Sequence, residues 1–469
     1  LMFIVMIYSR FINLNWDRGW GFHPDENNLW GASRSIKWFS NLDPKFYAYG
    51  GFPVYLYSFL DSKVQARMVS ALFQTGIIGL LFLTGKKLKG ERAGFLAALM
   101  GIFSAGLIQA SHFLTVESLI GFFSLLIVLG LVAVCETAGV DMKFRKLHIV
   151  LLALTAIVLG LGIGTKVSFG VFILPFVILL RPGLFKKAGP LLMPIVVVLI
   201  FFLTNPFILA KFQDVKSTLQ YETNVAMGKM TVFYTRQFTG TVPGWFQLIQ
   251  VFPFITGWLF VPFILLGLFV TCVKDGPSHG RRTVLLMTVF SSLFSFLPMW
   301  AKWTRYVVQV LPILILISAI GADWLWEKGK TGKAVVILLI ISFLPQFFSV
   351  MKVYGSPDNR LTAADWAAVN IPKTAKIFTE GMDLGIIPFN PIHGETITLF
   401  NFYELDEDKT GQKQIALNTL INENEYFISV SNRVYGNSLR SPDKFPASAD
   451  FYRRLFDGSL GYQKIYESP

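Results

Sequence analysis

Asp25 and Glu26 stand side by side in WGFHPDENNLWGASRSIKW, residues 20–38, behind a His23-Pro24 corner. An ionised carboxylate can take the proton of an attacking hydroxyl, which is general-base chemistry. Pro24 suits the first helical position, so both acids fall in a first turn, where the helix dipole favours negative charge. First-turn acids also serve only to stabilise a helix, so the pair alone does not establish a reaction. Other residues able to do chemistry are scattered. His112 and Glu117 lie in SHFLTVE, Lys166 in GTKVS, Arg236 in the stretch 207–250, and Lys302 and Arg305 in AKWTRY. The four cations could hold an anion, although Lys and Arg at span ends also simply snorkel to the interface.

The elements that must position these residues are membrane spans. The 469 residues are 53% hydrophobic and only 15% charged, where a soluble chain has about 25% charged residues. A span needs roughly 20 apolar residues. The opening run LMFIVMIY is too short to span alone, so the first span is expected to lack its start, and no cleavable signal is expected. Further candidates lie near 65–85, 93–111, 116–135, 148–165, 168–180, 188–206, 251–272, 283–300, 306–326 and 334–351, eleven in all with the first. After Pro24 a short amphipathic helix is expected, with Leu29, Ala32, Ile36 and Phe39 on one face and Trp30 and Trp38 at a membrane surface.

Charge orients the spans. The connections KKLKGER, KFRK, RPGLFKK, KDGPSHGRR and EKGKTGK are basic and alternate with connections nearly free of Lys and Arg. The positive-inside rule makes the basic set cytoplasmic. Residues 9–64, 111–115, 164–166, 207–250, 301–305 and the tail then lie outside, together with every residue singled out above. This distribution explains most of the net charge of +13 without nucleic acid as a partner. Cys135 and Cys272 fall at cytoplasmic ends and are expected as free thiols. A loop as long as 207–250 is usually functional, and Tyr221 and Trp245 in it could line a gate or serve as aromatic anchors.

From about residue 356 the composition is that of a soluble domain. RLTAADWAAVNIP reads as a helix capped by Thr362, and QKQIALNTLIN and ADFYRRLFDG as further helices. KIFTE, ETITLF, EYFISVS and YQKIYE read as strands, giving a small α/β layer. The expected division is a transmembrane domain over 1–355, with external loops 9–64 and 207–250, and an extracytoplasmic α/β domain over 356–469.

HPDE at the head of a long first external loop resembles the GT-C glycosyltransferases that use polyprenyl-phosphate sugars, above all the protein O-mannosyltransferases and the lipid A aminoarabinose transferases. YGGFPVYLY, SHFLTVESLIGFF, LGLGIGTKVSFGVFILP, TNPF and KWTRYVVQVLPILILISAIGADW are similar in kind and order. In the tail, DWAAVNIPKTAKIFTEG and FYRRLFDGSLGYQKIYES resemble the soluble tail of prokaryotic members. The resemblance implies a polytopic α-helical GT-C fold in the plasma (inner) membrane. It also implies an inverting transfer of a mannose-like hexose or a pentose from a polyprenyl phosphate to an acceptor hydroxyl. The acceptor would be lipid, glycan or protein, in cell-envelope glycosylation.

Asp25 matches the family's general base, and Glu26 would orient the acceptor or a polar neighbour. Lys166 and Arg305 match family segments and would contact the donor phosphate, with Arg236 and Lys302 beside them. Glu117 stands where members often carry Asp in the second external loop. With His112 and Asp25 it could complete a divalent cation site, and no cofactor is otherwise implied. His23 would shape the corner or join the acceptor site. The WWDYG signature of oligosaccharyltransferases is absent. A polyprenol-linked glycan flippase, or a non-catalytic scaffold of the same fold, is the competing class. The clean span centres and asymmetric charges speak against a carrier with midplane ionisable groups.

Overall fold

The computed structural model describes residues 1–137, 145–179, 192–273, 277 and 279–468. The basic connections KFRK, RPGLFKK and KDGPSHGRR fall wholly or partly outside that set. Eight helices in order carry the first half: α1 (Met2–Phe11), α2 (Pro24–Ser35), α3 (Gly51–Ser58), α4 (Lys63–Lys89), α5 (Glu91–Phe103), α6 (Ala105–Ser111), α7 (Glu117–Thr137) and α8 (Arg145–Thr165).

The chain is a polytopic helical membrane protein. Among the described residues, four helices are long and apolar enough to cross a bilayer: α4, α7, Lys146–Thr165 and Lys330–Gly355. Two bent pairs add to them, α5 with α6 at 62° and Gln247–Ile255 with Phe260–Cys272 at 100°. Four shorter apolar helices are Met2–Phe11, Val167–Ile178, Leu192–Thr204 and Leu311–Trp326. Helical structure thus occurs on every stretch expected to span, but several stretches are broken or short.

The bend after α5 is satisfied from elsewhere in the chain. A break frees carbonyls that lipid cannot hydrogen-bond. Arg10, fully buried on α1, donates to the carbonyls of Gly101 at 2.7 Å and Ile102 at 2.9 Å. Ser104, at the break itself, donates to the Ile255 carbonyl at the second bend. At another end of the bundle, basic connections meet acids: Lys87 and Arg281 both pair with Glu136, and Arg92 pairs with Asp323 and Glu327.

The segment before α3 is threaded between backbones. The Gly50 N–H donates to the Thr165 carbonyl at 2.9 Å, and the Gly51 N–H to Asn205 Oδ1 at 2.7 Å. A Cβ on Gly50 would strike the Gly164 carbonyl, and one on Gly51 the Thr204 carbonyl. YGGF, GTK and TNPF are therefore one packed unit, and this fixes Tyr49 and Lys166. Gly51→Ala is expected to cost about 1–3 kcal/mol by overpacking. Denaturation in lipid nanodiscs would show it as a lowered midpoint, and an unchanged midpoint would mean that the backbones can part freely.

By contacts the chain forms two compact units. The first comprises residues 1–14, 25–230 and 242–352, and the second 15–24, 231–241 and 353–469. Short pieces of both long loops thus belong with the tail, which the linear division at 355 did not foresee. In the second unit three parallel strands, β1 (Ile377–Glu380), β2 (Ile397–Phe400) and β3 (Tyr426–Ile428), stand in the order β2-β1-β3. Two expectations are corrected here: YQKIYE is not a strand, and helix Asn359–Asn370 is capped by Asp358 and not Thr362. Asn432–Arg440 is a further helix.

Glu380 ends β1 with no exposed surface and accepts hydrogen bonds from Tyr452 at 2.7 Å, Ser429 at 2.9 Å and the Val430 N–H. Burial outweighs these donors and raises its pKa from 4.5 to about 7. A carboxyl with a raised folded-state pKa binds more protons folded than unfolded. Stability from it is therefore full below 4.5 and is lost as pH rises through 7. The loss amounts to about 3 kcal/mol. Hydrogen exchange at Ile377–Glu380 in the full chain should quicken between those pH values, and Glu380→Gln should abolish the dependence. Protection that rises with pH would contradict this sign.

Candidate active site

Pro24 opens α2 and the two acids fill its first turn, as the spacing required. The helix then separates them. Glu26 points inward and has no exposed surface. Its Oε1 accepts from Arg67 Nε at 2.8 Å and from the Leu114 N–H at 2.7 Å, and its Oε2 accepts from Arg67 Nη2 at 2.7 Å. Arg67 also donates to the Leu14 carbonyl. Held this way, Glu26 has a polar neighbour, Arg67, and both its oxygens are engaged within the protein. It clamps α2 to α4 and to the loop before α7.

Asp25 points the other way, is 25% exposed, and pairs with Arg305. The Arg305 guanidinium lies 5.6 Å from the Trp303 ring and 5.8 Å from the Tyr306 ring. On the far side, the Lys166 ammonium is 5.1 Å from the same Tyr306 ring and 3.5 Å from Gln309 Oε1. A carboxylate and two cations are thus linked through one tyrosine. Burial lowers the pKa of Lys166, and Glu117 and Glu222 oppose this by their charge. Burial raises that of Glu222, against Lys166. Burial raises the pKa of Tyr49 well above its ordinary value, with Glu117, Tyr306 and Glu222 adding to the rise. Asp25, Arg305, Tyr306, Lys166, Glu117, Glu222 and Tyr49 are therefore brought together within the first unit.

The remaining expected residues are not drawn into that cluster. Lys302 is buried and donates to the Trp300 carbonyl at 2.6 Å. Arg236 belongs to the second unit, where it pairs with Glu407 and lies 5.3 Å from both the Tyr403 and Phe445 rings. His23 is half-buried just before α2. His112 is buried, with Nδ1 at 2.8 Å from the Ile108 carbonyl and Nε2 at 2.9 Å from that of Ile12. Burial depresses its pKa to about 4. Nδ1 also lies 3.1 Å from the Ser111 hydroxyl, so both ring nitrogens are engaged within the protein. Among the described residues no three of His, Cys, Asp and Glu gather as a metal would need. The set Asp25, His112 and Glu117 is corrected accordingly.

Phe39 is also corrected. Helix α2 ends at Ser35, and Phe39 sits fully exposed with φ +72° in the turn closed by a Lys37–Asn41 bridge. Tyr221 and Trp245 are exposed. Sequence reasoning did not single out Arg67, Tyr49 or Tyr306. Tyr49 and Tyr306 lay within the quoted YGGF and KWTRY segments, which was the available signal.

Residues 38–213 match the family model for dolichyl-phosphate-mannose-protein mannosyltransferase. No curated protein matches the chain in sequence. Among solved structures, ArnT from Cupriavidus metallidurans bound to undecaprenyl phosphate is similar at 15% identity and TM-score 0.53, over 91% of this chain and 89% of that one. Its apo state gives 14% and 0.51, over 97% and 89%. The oligosaccharyltransferase AglB from Archaeoglobus fulgidus, in complex with an inhibitory peptide and a dolichol-phosphate, gives 11% and 0.50, over 95% and 72%. At such identities the likeness is one of fold. The resemblance drawn from HPDE and the ordered segments holds: this chain is a membrane protein of the GT-C fold, and its residues 38–213 carry the sequence pattern of the mannosyltransferase family.

Proposed function

We propose that the protein is an inverting glycosyltransferase that moves a mannose-like hexose or a pentose from a polyprenyl phosphate to an acceptor hydroxyl. The observation that carries this reading is the pairing of a half-exposed carboxylate, Asp25, with Arg305, one tyrosine away from the buried Lys166. In the step proposed, Asp25 takes the acceptor's proton as its oxygen attacks the anomeric carbon. The bond from that carbon to the phosphate oxygen breaks, and Lys166 and Arg305 receive the growing negative charge. A phosphate is already a stable anion, so no strong acid is required. The residues do not fit a metal, and no step runs through one.

The same reading places the cluster and the C-terminal tail on the outer side of the plasma membrane. The pairing of Lys87 and Arg281 with Glu136, and of Arg92 with Asp323 and Glu327, in connections assigned to the cytoplasm, supports that orientation. Purified protein in nanodiscs, given a panel of radiolabelled polyprenyl-phosphate monosaccharides, should bind at least one and release polyprenyl phosphate. Absence of binding to every member would reject the lipid-donor reading and favour the flippase or scaffold classes.

A further inference from the structure

Within the bundle, a polar stripe runs along α4 where lipid-like packing would favour apolar residues. Ser70 and Gln74 lie one turn apart, both without exposed surface. Facing them are Tyr57 on α3 and Glu117 and Ser118 at the start of α7, and Gln74 donates to Ser118 at 3.1 Å. The Tyr57 hydroxyl is directed at Ser70, and the charge of Glu117 reaches it. Gln74 Oε1 and Glu117 Oε1 are buried with no hydrogen-bond partner, and Tyr57 Oη and Ser70 Oγ have none beyond each other. Two orphaned acceptors beside a hydroxyl pair with spare hydrogen-bonding capacity, drawn from three helices, are not what a dry core tolerates. Their chemistry is mixed, two hydroxyls that donate and accept beside two acceptor oxygens. That set suits water, which needs two to four polar partners.

We propose that Tyr57, Ser70, Gln74 and Glu117 line an internal water site whose waters hold the Glu117 carboxylate against Lys166. Tyr57, Ser70 and Gln74 are then positioning residues for the donor phosphate, acting through Glu117 and Lys166 without touching substrate. This second half rests on the proposed lipid-phosphate donor, and the first half does not.

Radiolytic hydroxyl labelling of the full chain in nanodiscs tests the first half, because bound water converts to radicals where it sits. Tyr57 should be labelled despite its burial, whereas Tyr452, equally buried but hydrogen-bonded to Glu380, should not. Labelling of Tyr57 no faster than Tyr452 would overturn the water site. Gln74→Met in a Ser118→Ala background, where the Gln74–Ser118 bond is already gone, gives a second readout whose sign decides. There, removing orphaned groups from a dry core raises Tm, whereas removing a water's partner lowers it by about 2–4 °C. A raised Tm counts against the site. For the second half, Gln74→Met should weaken binding of polyprenyl phosphate about threefold to tenfold with kcat little changed. An unchanged Kd would strike out the positioning role. If wild type binds no polyprenyl phosphate at all, the donor reading fails, while labelling and Tm still decide the water site.

Discussion

Asp25→Asn is expected to abolish turnover while leaving the donor bound. Asparagine keeps the size and helix position of the side chain but cannot accept a proton, so the attacking hydroxyl loses its base. A positioned base contributes about 10²–10⁴ in rate. The substitution also releases Arg305 from its ion pair, which leaves a cation free for the phosphate, so donor affinity should hold or tighten. The measurement compares donor Kd and release of polyprenyl phosphate for wild type and variant. Turnover within about tenfold of wild type would remove Asp25 from the chemistry. Loss of binding together with turnover would instead assign Asp25 to holding Arg305 in place.

The second large effect is structural. Arg67→Ala should destabilise the first unit by about 3–5 kcal/mol, because it strands the carboxylate of Glu26 in the core. The pair Glu26→Leu with Arg67→Met should recover most of that loss, since an apolar pair of similar volume carries no desolvation cost. It should not restore full activity. The bond from Glu26 to the Leu114 N–H goes with the carboxylate, and with it the fixed angle at which α2 presents Asp25. Denaturation midpoints and kcat for the single and double variants separate the two contributions. A double variant as active as wild type would show that the buried pair contributes stability alone.

Much of this arrangement was legible in the residues. Pro24 followed by two acids specified a helix start, and apolar run length located the helices of the bundle. Strands KIFTE, ETITLF and EYFISVS were readable from their alternation. The bends at Ser104 and near Thr256 were not, because nothing charged interrupts the hydropathy there, and the donor that compensates the first, Arg10, is some ninety residues away. The role of Glu26 stayed open between acceptor and polar neighbour because its partner Arg67 lies 41 residues on. Arg236 was grouped with the phosphate ligands on charge alone, whereas Glu407 occupies it in the tail unit. Local chemistry is visible in sequence, but pairing across a fold is not.

The clamp that Arg10 places on the bend after α5 has a consequence for biosynthesis. Its helix is synthesised long before the carbonyls of Gly101 and Ile102 emerge. Until then the guanidinium, in the last turn of α1, lacks both carbonyls, and a cation carried into the bilayer without such acceptors is costly. Helix α1 is therefore a late arrival in the bilayer, waiting at the insertion machinery until α5 and α6 give it something to hold. Ribosome-stalled chains ending before and after residue 102 should differ in whether α1 can be crosslinked to lipid. A late step in building the bundle would then be taken by a segment made well before its partners.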